Sequence, residues 1–108
     1  MLSREYRLPA TVKLTKAHFF KTPLFSIKFT SNSLPESRFG FLVRKTVERR
    51  AVARNRIRRL FRSCVEEMLT EIKPGYDMLF FLEKGIIDKR QQELVQELKA
   101  FLQQKHLI

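Results

Sequence analysis

The sequence holds a single cysteine, Cys64, among 108 residues. One thiol cannot close an internal disulfide or build a cysteine-based metal cluster. Histidine is almost as scarce, and the spacing of His18 and His106 suggests no shared metal. No apolar run approaches the ~20 residues that a spanning helix requires. The first ten residues lack a signal-peptide pattern, because charges and Pro9 interrupt them before any useful apolar stretch; the expected location is therefore cytoplasmic. No repeat, linker or low-complexity segment interrupts the chain, and its length fits one domain over residues 1–108. Acidic residues are also few: 11 against 22 lysines and arginines, for a formal net charge of +11. Such an imbalance repels itself in the folded state, and a polyanion would relieve it.

Against these absences stands a periodic apolar pattern, with hydrophobic residues making up 44% of the chain. Residues 11–22 read as a short, weakly helical segment closed by Pro23. Leu24 to Thr30 alternates, with Phe25, Ile27 and Phe29 on one side and Ser26, Lys28 and Thr30 on the other, which predicts a half-buried strand. Arg38 to Arg44 alternates again, and the two runs are expected to pair as an antiparallel hairpin across the Ser31–Pro35 turn region. From Arg50 the period changes. Ala53, Ile57, Leu60, Phe61, Cys64, Val65, Met68, Leu69 and Ile72 recur at steps of three and four, predicting an amphipathic helix ended by Pro74-Gly75. Tyr76 to Leu82 is nearly all apolar, as in a strand covered on both faces. Asp88 with Gln91 resembles a capping box opening a last helix buried through Leu94, Val95, Leu98, Phe101 and Leu102. The expected order is α-β-β-α-β-α, a two-layer α+β sandwich with room for one extra short strand.

The positive charge is not spread evenly. Arg44, Lys45, Arg49, Arg50, Arg54, Arg56, Arg58, Arg59 and Arg62 share one stretch with a single acid, Glu48, and account for +8 of the +11. Arg54, Arg58 and Arg62 line up at i, i+4, i+8, with Asn55 and Arg59 beside them and Arg56 towards the far edge. Like charges at that spacing weaken a helix, and surface faces normally mix signs. Arginine binds phosphate through a planar fork and stacks on bases, so the pattern fits a phosphate-binding surface better than a solvated face. Engagement of about six phosphates gives a log–log salt slope of roughly −4 to −5. Backbone N–H groups at the helix start add positive potential, the nearby arginines oppose the dipole, and a bound anion would ease the conflict.

The stretch from Arg38 to Arg62 resembles the signature of the bacterial ribonuclease P protein family. Gly40, Phe41, Val43, Lys45, Arg49, Arg50, Ala51, Arg54, Asn55, Arg56, Ile57, Arg58, Arg59, Leu60 and Arg62 match it in order and spacing, and Gly75-Tyr76-Asp77 agrees more loosely. The resemblance implies an α/β sandwich with a left-handed β-α-β crossover, where periodicity alone suggests the common right hand. It also implies that the Arg-Asn-Arg helix contacts a catalytic RNA subunit, and that a cleft between the first helix and the sheet holds the 5′ leader of precursor transfer RNA. Hydrolysis would then belong to the RNA and its Mg²⁺, with no catalytic residue, protein-held metal, small-molecule substrate or membrane partner expected of the chain. Three positions depart from the pattern. Thr46 replaces a lysine, Arg44 replaces a small residue, and the segment before Pro23 is short for the family's first helix. The leader-binding residues expected here are Phe19 or Phe20 as an aromatic platform and Lys28 on the open strand face, core packing being the competing role for both phenylalanines. Cys64 falls on the apolar stripe as a core residue, His18 and His106 read as surface residues, and Glu66-Glu67 reads as a solvated face.

Other classes fit less well. A DNA- or ribosome-binding module would also use a basic helix, but would not require this motif. A self-sufficient nuclease needs a histidine or carboxylate cluster, which is missing. A membrane-surface helix needs exposed apolar residues opposite its charges, and the core claims that stripe.

Overall fold

The structure, a computed structural model, describes residues 2–108. Strand β1 spans His18–Lys21, β2 Phe25–Ser31 and β3 Arg38–Leu42; helix α1 spans Ala51–Glu67, β4 Tyr76–Leu82 and α2 Gln91–Gln104. Short 3₁₀ turns lie at Arg4–Tyr6 and Lys84–Asp88. The mixed α+β architecture agrees with the expected sandwich, with three corrections to its detail.

The first concerns residues 11–22. No helix forms there, and His18–Lys21 is a strand paired antiparallel to β2, with His18 opposite Phe29 and Lys21 opposite Ser26. A turn held by Thr22 joins them: its N–H donates to the Phe25 carbonyl at 2.7 Å, and its Oγ1 accepts from the Phe25 N–H at 3.1 Å. Pairing with β2 outweighs the weak helical signal of a short segment, since isolated short helices are marginal in water.

The second concerns β2 and β3, which do not form a hairpin. The sheet order is β1-β2-β4-β3, so β4 inserts between them, antiparallel to β2 and parallel to β3. The β3-α1-β4 unit thus joins two parallel neighbouring strands through the helix. Insertion puts the most apolar strand at the centre, where ladder hydrogen bonds are satisfied on both sides.

The third concerns coverage of β4, which is dry on one face only. Met78, Phe80 and Leu82 are buried beneath the helices, whereas Leu79 and Phe81 point to the other face and remain half-buried. Both helices pack on the dry side. Ile57, Phe61, Cys64 and Val65 from α1 join Leu94, Leu98, Phe101 and Leu102 from α2 in one cluster with Phe25, Ile27, Phe29, Phe39 and Phe80. Phe61 meets the Phe80 ring at 5.0 Å and the Phe25 ring at 5.4 Å, in the tilted arrangements that ring quadrupoles favour.

Helix ends follow local chemistry. The last helix opens at Arg90, whose N–H donates to Glu93 Oε1 at 3.1 Å; Asp88 lies in the preceding 3₁₀ turn, and its expected pairing with Gln91 is not the cap. At the other end His106 has φ +59°, while the N–H groups of His106 and Leu107 donate to the carbonyls of Gln103 and Leu102. These bonds form a Schellman cap with histidine in the position glycine usually takes. Helix α1 ends at Glu67, and irregular turns lead to Pro74 and Gly75, where φ is +89°. The Lys73 N–H then donates to the Leu107 carbonyl at 2.8 Å, tying this connection to the end of the chain.

Candidate nucleic-acid interface

Helix α1 turns its apolar stripe into the core, so the arginines between the stripe residues are forced outward. Asn55, Arg56 and Arg59 are exposed, and Arg58 and Arg62 are half-buried along the flank. Val52, Asn55, Arg58, Arg59 and Arg62 line one shallow depression on this face. Val52 is 70% exposed, an apolar spot within a ring of cations. Arg58 donates to the Asn55 side-chain oxygen, which aims its guanidinium along the helix. Burial, then the like charges of Arg54 and Arg62, push the Arg58 pKa below its ordinary value. The row therefore repels itself and gains from a counter-anion.

The expected interface residues are not all equivalent in the structure. Arg54 turns back to its own loop, donating through Nη1 to the carbonyls of Glu48 at 3.1 Å and Arg49 at 2.7 Å. Arg50 reaches Glu48, with Nε at 3.1 Å from Oε2 and Nη2 at 3.2 Å from Oε1. Lys45 and Arg49 are exposed on the loop before the helix. Arg44 leaves the helix face altogether: its guanidinium carbon lies 4.9 Å from the centre of the Phe81 ring.

That ring belongs to a second surface, the sheet face opposite the helices. Strand register sets Phe19 beside Lys28, Lys28 beside Leu79, and Phe81 between Ser26 and Leu42. Lys28 Nζ lies 5.8 Å from the Phe81 centroid, on the same ring that Arg44 approaches. Phe19, Lys21, Ser26, Leu42, Arg44 and Phe81 line a hollow of about 200 Å³. Phe19 is 54% exposed. Phe20 lies on the opposite face, stacked on Phe29 at 5.9 Å, edge-on to Phe101, with Lys105 Nζ 3.9 Å from its ring centre. The Phe19-Phe20 pair thus divides, one ring to each face.

Phe81 was missed in the sequence because an unbroken apolar run suggests cover on both sides. A signal was present: Phe80 and Phe81 are adjacent, and strand geometry sends adjacent side chains to opposite faces. One open face was enough to expose one of them.

The end of this face is fixed by Asp77, only 4% exposed. It accepts two bonds from Arg38, each 2.8 Å, and one from Asn32 at 2.9 Å. Burial alone would raise its pKa, but the bonds from Arg38 and Asn32 prevail and hold it below the ordinary value. Cys64 is buried as expected, its Sγ donating to the Leu60 carbonyl, and burial followed by the charge of Glu67 pushes its thiol up to about 11. His18 and His106 are exposed. Among the described residues no group of three histidine, cysteine or carboxylate side chains is placed to hold a metal ion, and no helix is long and apolar enough to cross a membrane.

Fold and surface together define a small, basic α+β sandwich with an arginine-faced helix on one layer and an uncovered aromatic sheet face on the other. The family model for Ribonuclease P matches residues 10–106, and the chain belongs to that family. The ribonuclease P protein component of Microcystis aeruginosa is 35% identical over 72 residues, covering 67% of this chain and 60% of that protein. The chain thus spans about three fifths of that relative's length. The corresponding protein of Fusobacterium nucleatum is 33% identical over 86 residues, or 76% of this chain and 77% of that one. The fold matches the RNase P protein of Staphylococcus aureus with a TM-score of 0.78 at 20% identity, over 94% of this chain and 96% of that one. That of Thermotoga maritima gives 0.73 at 18% identity, over 82% and 84%.

Proposed function

We propose that this chain is the protein subunit of a ribonuclease P, acting in the cytoplasm with a catalytic RNA to remove the 5′ leader of precursor transfer RNA. The outward face of α1 is the RNA-subunit contact, through Arg56, Arg58, Arg59 and Arg62 with Asn55 between them. Lys45 and Arg49 extend it along the preceding loop. The carrying observation is that a like-charged arginine face is mounted rigidly on a helix whose other side is locked in the core. Arginines carried on a fixed helix can fork onto phosphate without any ordering of the backbone beneath them.

The open sheet face is the proposed leader site. Phe19 and Phe81 offer apolar faces for unpaired bases, and Lys28 and Arg44 offer cations for the phosphates between them. Stacking tolerates any base, which suits a leader of variable sequence. Phe20 is withdrawn from this role by its packing against Phe29 and Phe101.

In this reading Mg²⁺ belongs to the RNA, where it activates water and steadies the leaving oxygen. Among the described residues no three carboxylate, histidine or cysteine side chains converge on one point, and the buried carboxylates, Glu48 and Asp77, are both engaged by arginines. The protein's share is positional and electrostatic: it screens repulsion between two RNAs and holds the leader. The deciding experiment is cleavage of precursor transfer RNA by the host's catalytic RNA at low Mg²⁺, with and without this protein. The expected result is faster cleavage with protein; equal rates overturn the reading.

A further inference from the structure

The chain's one acid within its arginine-rich stretch occupies an unusual place. Glu48 is 6% exposed although it sits at the start of α1 among cations. Its Oε2 accepts the Arg50 backbone N–H at 2.9 Å, the position of an anion at a helix N-terminus. The same carboxylate receives the forked guanidinium of Arg50, and Lys84 Nζ from the neighbouring 3₁₀ turn approaches Oε1 at 3.7 Å. The Glu48 carbonyl accepts from Arg54. One backbone N–H, one guanidinium fork and one ammonium make a set of donors suited to a phosphate, and here a carboxylate of the chain fills it.

We infer that Glu48 is a positioning residue that occupies the anion site at the head of α1 and withdraws Arg50 from RNA. The anion that the sequence calls for at this helix end is supplied internally. The basic stretch is thereby divided. Arg50, Arg54 and Lys84 hold the loop-to-helix junction, while Arg56, Arg58, Arg59 and Arg62 are left to bind phosphate. RNA would engage the side of the helix and the exposed Lys45 and Arg49 of the loop before it, but not the anion site that Glu48 fills. This rests on the proposal that α1 binds RNA. The 74% exposure of the Arg50 side chain argues that nothing but Glu48 keeps it from a phosphate.

The division has a thermodynamic signature, because each phosphate contact contributes about 0.7–0.9 to the log–log salt slope. The probe is the ribonuclease P RNA of Fusobacterium nucleatum, whose protein component is 33% identical to this chain. Binding is measured across a salt series for the parent chain and three variants of it, with far-UV circular dichroism as the folding control. Glu48→Gln/Arg50→Gln removes the pair with no change in net charge. Its slope should match the parent, with Kd within about twofold at physiological ionic strength. Arg59→Gln should flatten the slope by about 0.7–0.9. Glu48→Gln alone should steepen it by a similar amount as Arg50 is released, and that gain should be absent when Arg50 is also replaced. A double variant as flattened as Arg59→Gln would overturn the inference, as would a folded Glu48→Gln whose slope is unchanged. If Glu48→Gln does not fold, Arg50→Gln joins the comparison: a slope that falls as far as in Arg59→Gln makes Arg50 an RNA contact and overturns the inference. If Arg59→Gln leaves the slope unaltered, the RNA role of α1 fails first and this division falls with it.

Discussion

Helices α1 and α2 lie on the same sheet face and obey the same packing rule, yet their outer surfaces differ sharply. Each buries a stripe at steps of three and four, and the two stripes meet in one core. Outward, α1 presents Asn55 and four arginines, from Arg56 to Arg62, while α2 presents mainly glutamine with Glu93 and Glu97. The inner faces answer to the core and are interchangeable in kind. The outer faces are free of that constraint, and only one of them has the charge to meet a polyanion.

The comparison can be broken first at its shared part. Phe61→Ala and Leu98→Ala should each cost about 3–5 kcal/mol, because both side chains are fully enclosed and leave cavities. Urea unfolding would check this, and a large loss from one helix with little from the other would break the equivalence of the inner faces. On the outside, Arg56→Gln/Arg58→Gln/Arg59→Gln should weaken binding to the catalytic RNA by roughly 100-fold or more with the fold kept. Three changes on α2, Gln92→Ala/Gln96→Ala/Gln103→Ala, should leave affinity within about twofold; filter binding of both triples at one ionic strength reads the contrast. Phe81→Ala should cost about 1–3 kcal/mol in leader-dependent substrate affinity, the range for one stacked base, while binding of a leaderless transfer RNA stays the same. The smallest effect concerns acid. The bonds from Arg50 hold the Glu48 carboxyl at about 2, well below its ordinary 4.5. A depressed carboxyl contributes stability above its unfolded pKa and loses it as pH falls towards the folded value. Stability should therefore decline from about pH 4.5 to 2 less steeply in Glu48→Gln than in the parent, as chemical denaturation at each pH would show.

How far the letters carried can be judged from particular residues. The stripes of both helices were legible because three-and-four spacing is a local property, and Ile57, Phe61, Leu98 and Leu102 are buried as the pattern requires. The concentration of arginine was equally plain. Pairing was not, because strand partners are chosen by the whole sheet. Phe25–Ser31 and Arg38–Leu42 carry the alternation of a hairpin, and nothing local in either announces that Tyr76–Leu82 will come between them. The members of the basic cluster differ for a related reason. Arg50 and Arg59 are alike as letters, and only the structure places a carboxylate against the first. Arg44 likewise belongs by sequence to the basic stretch expected to contact RNA, and its guanidinium lies over Phe81 on the sheet face.

The central seat of β4 also bears on how the molecule is made. Its two neighbours in the sheet are synthesised long before it, and they do not pair with one another. On the ribosome, therefore, β1 and β2 can pair early and α1 emerges after them, but β3 and the free edge of β2 must wait until residue 82 has left the exit tunnel. The sheet closes late, through contacts some fifty residues apart in the register of Phe29 with Met78, a slow kind of contact to form. A nascent chain with a finished basic helix and an unfinished platform could meet RNA before it is fully built.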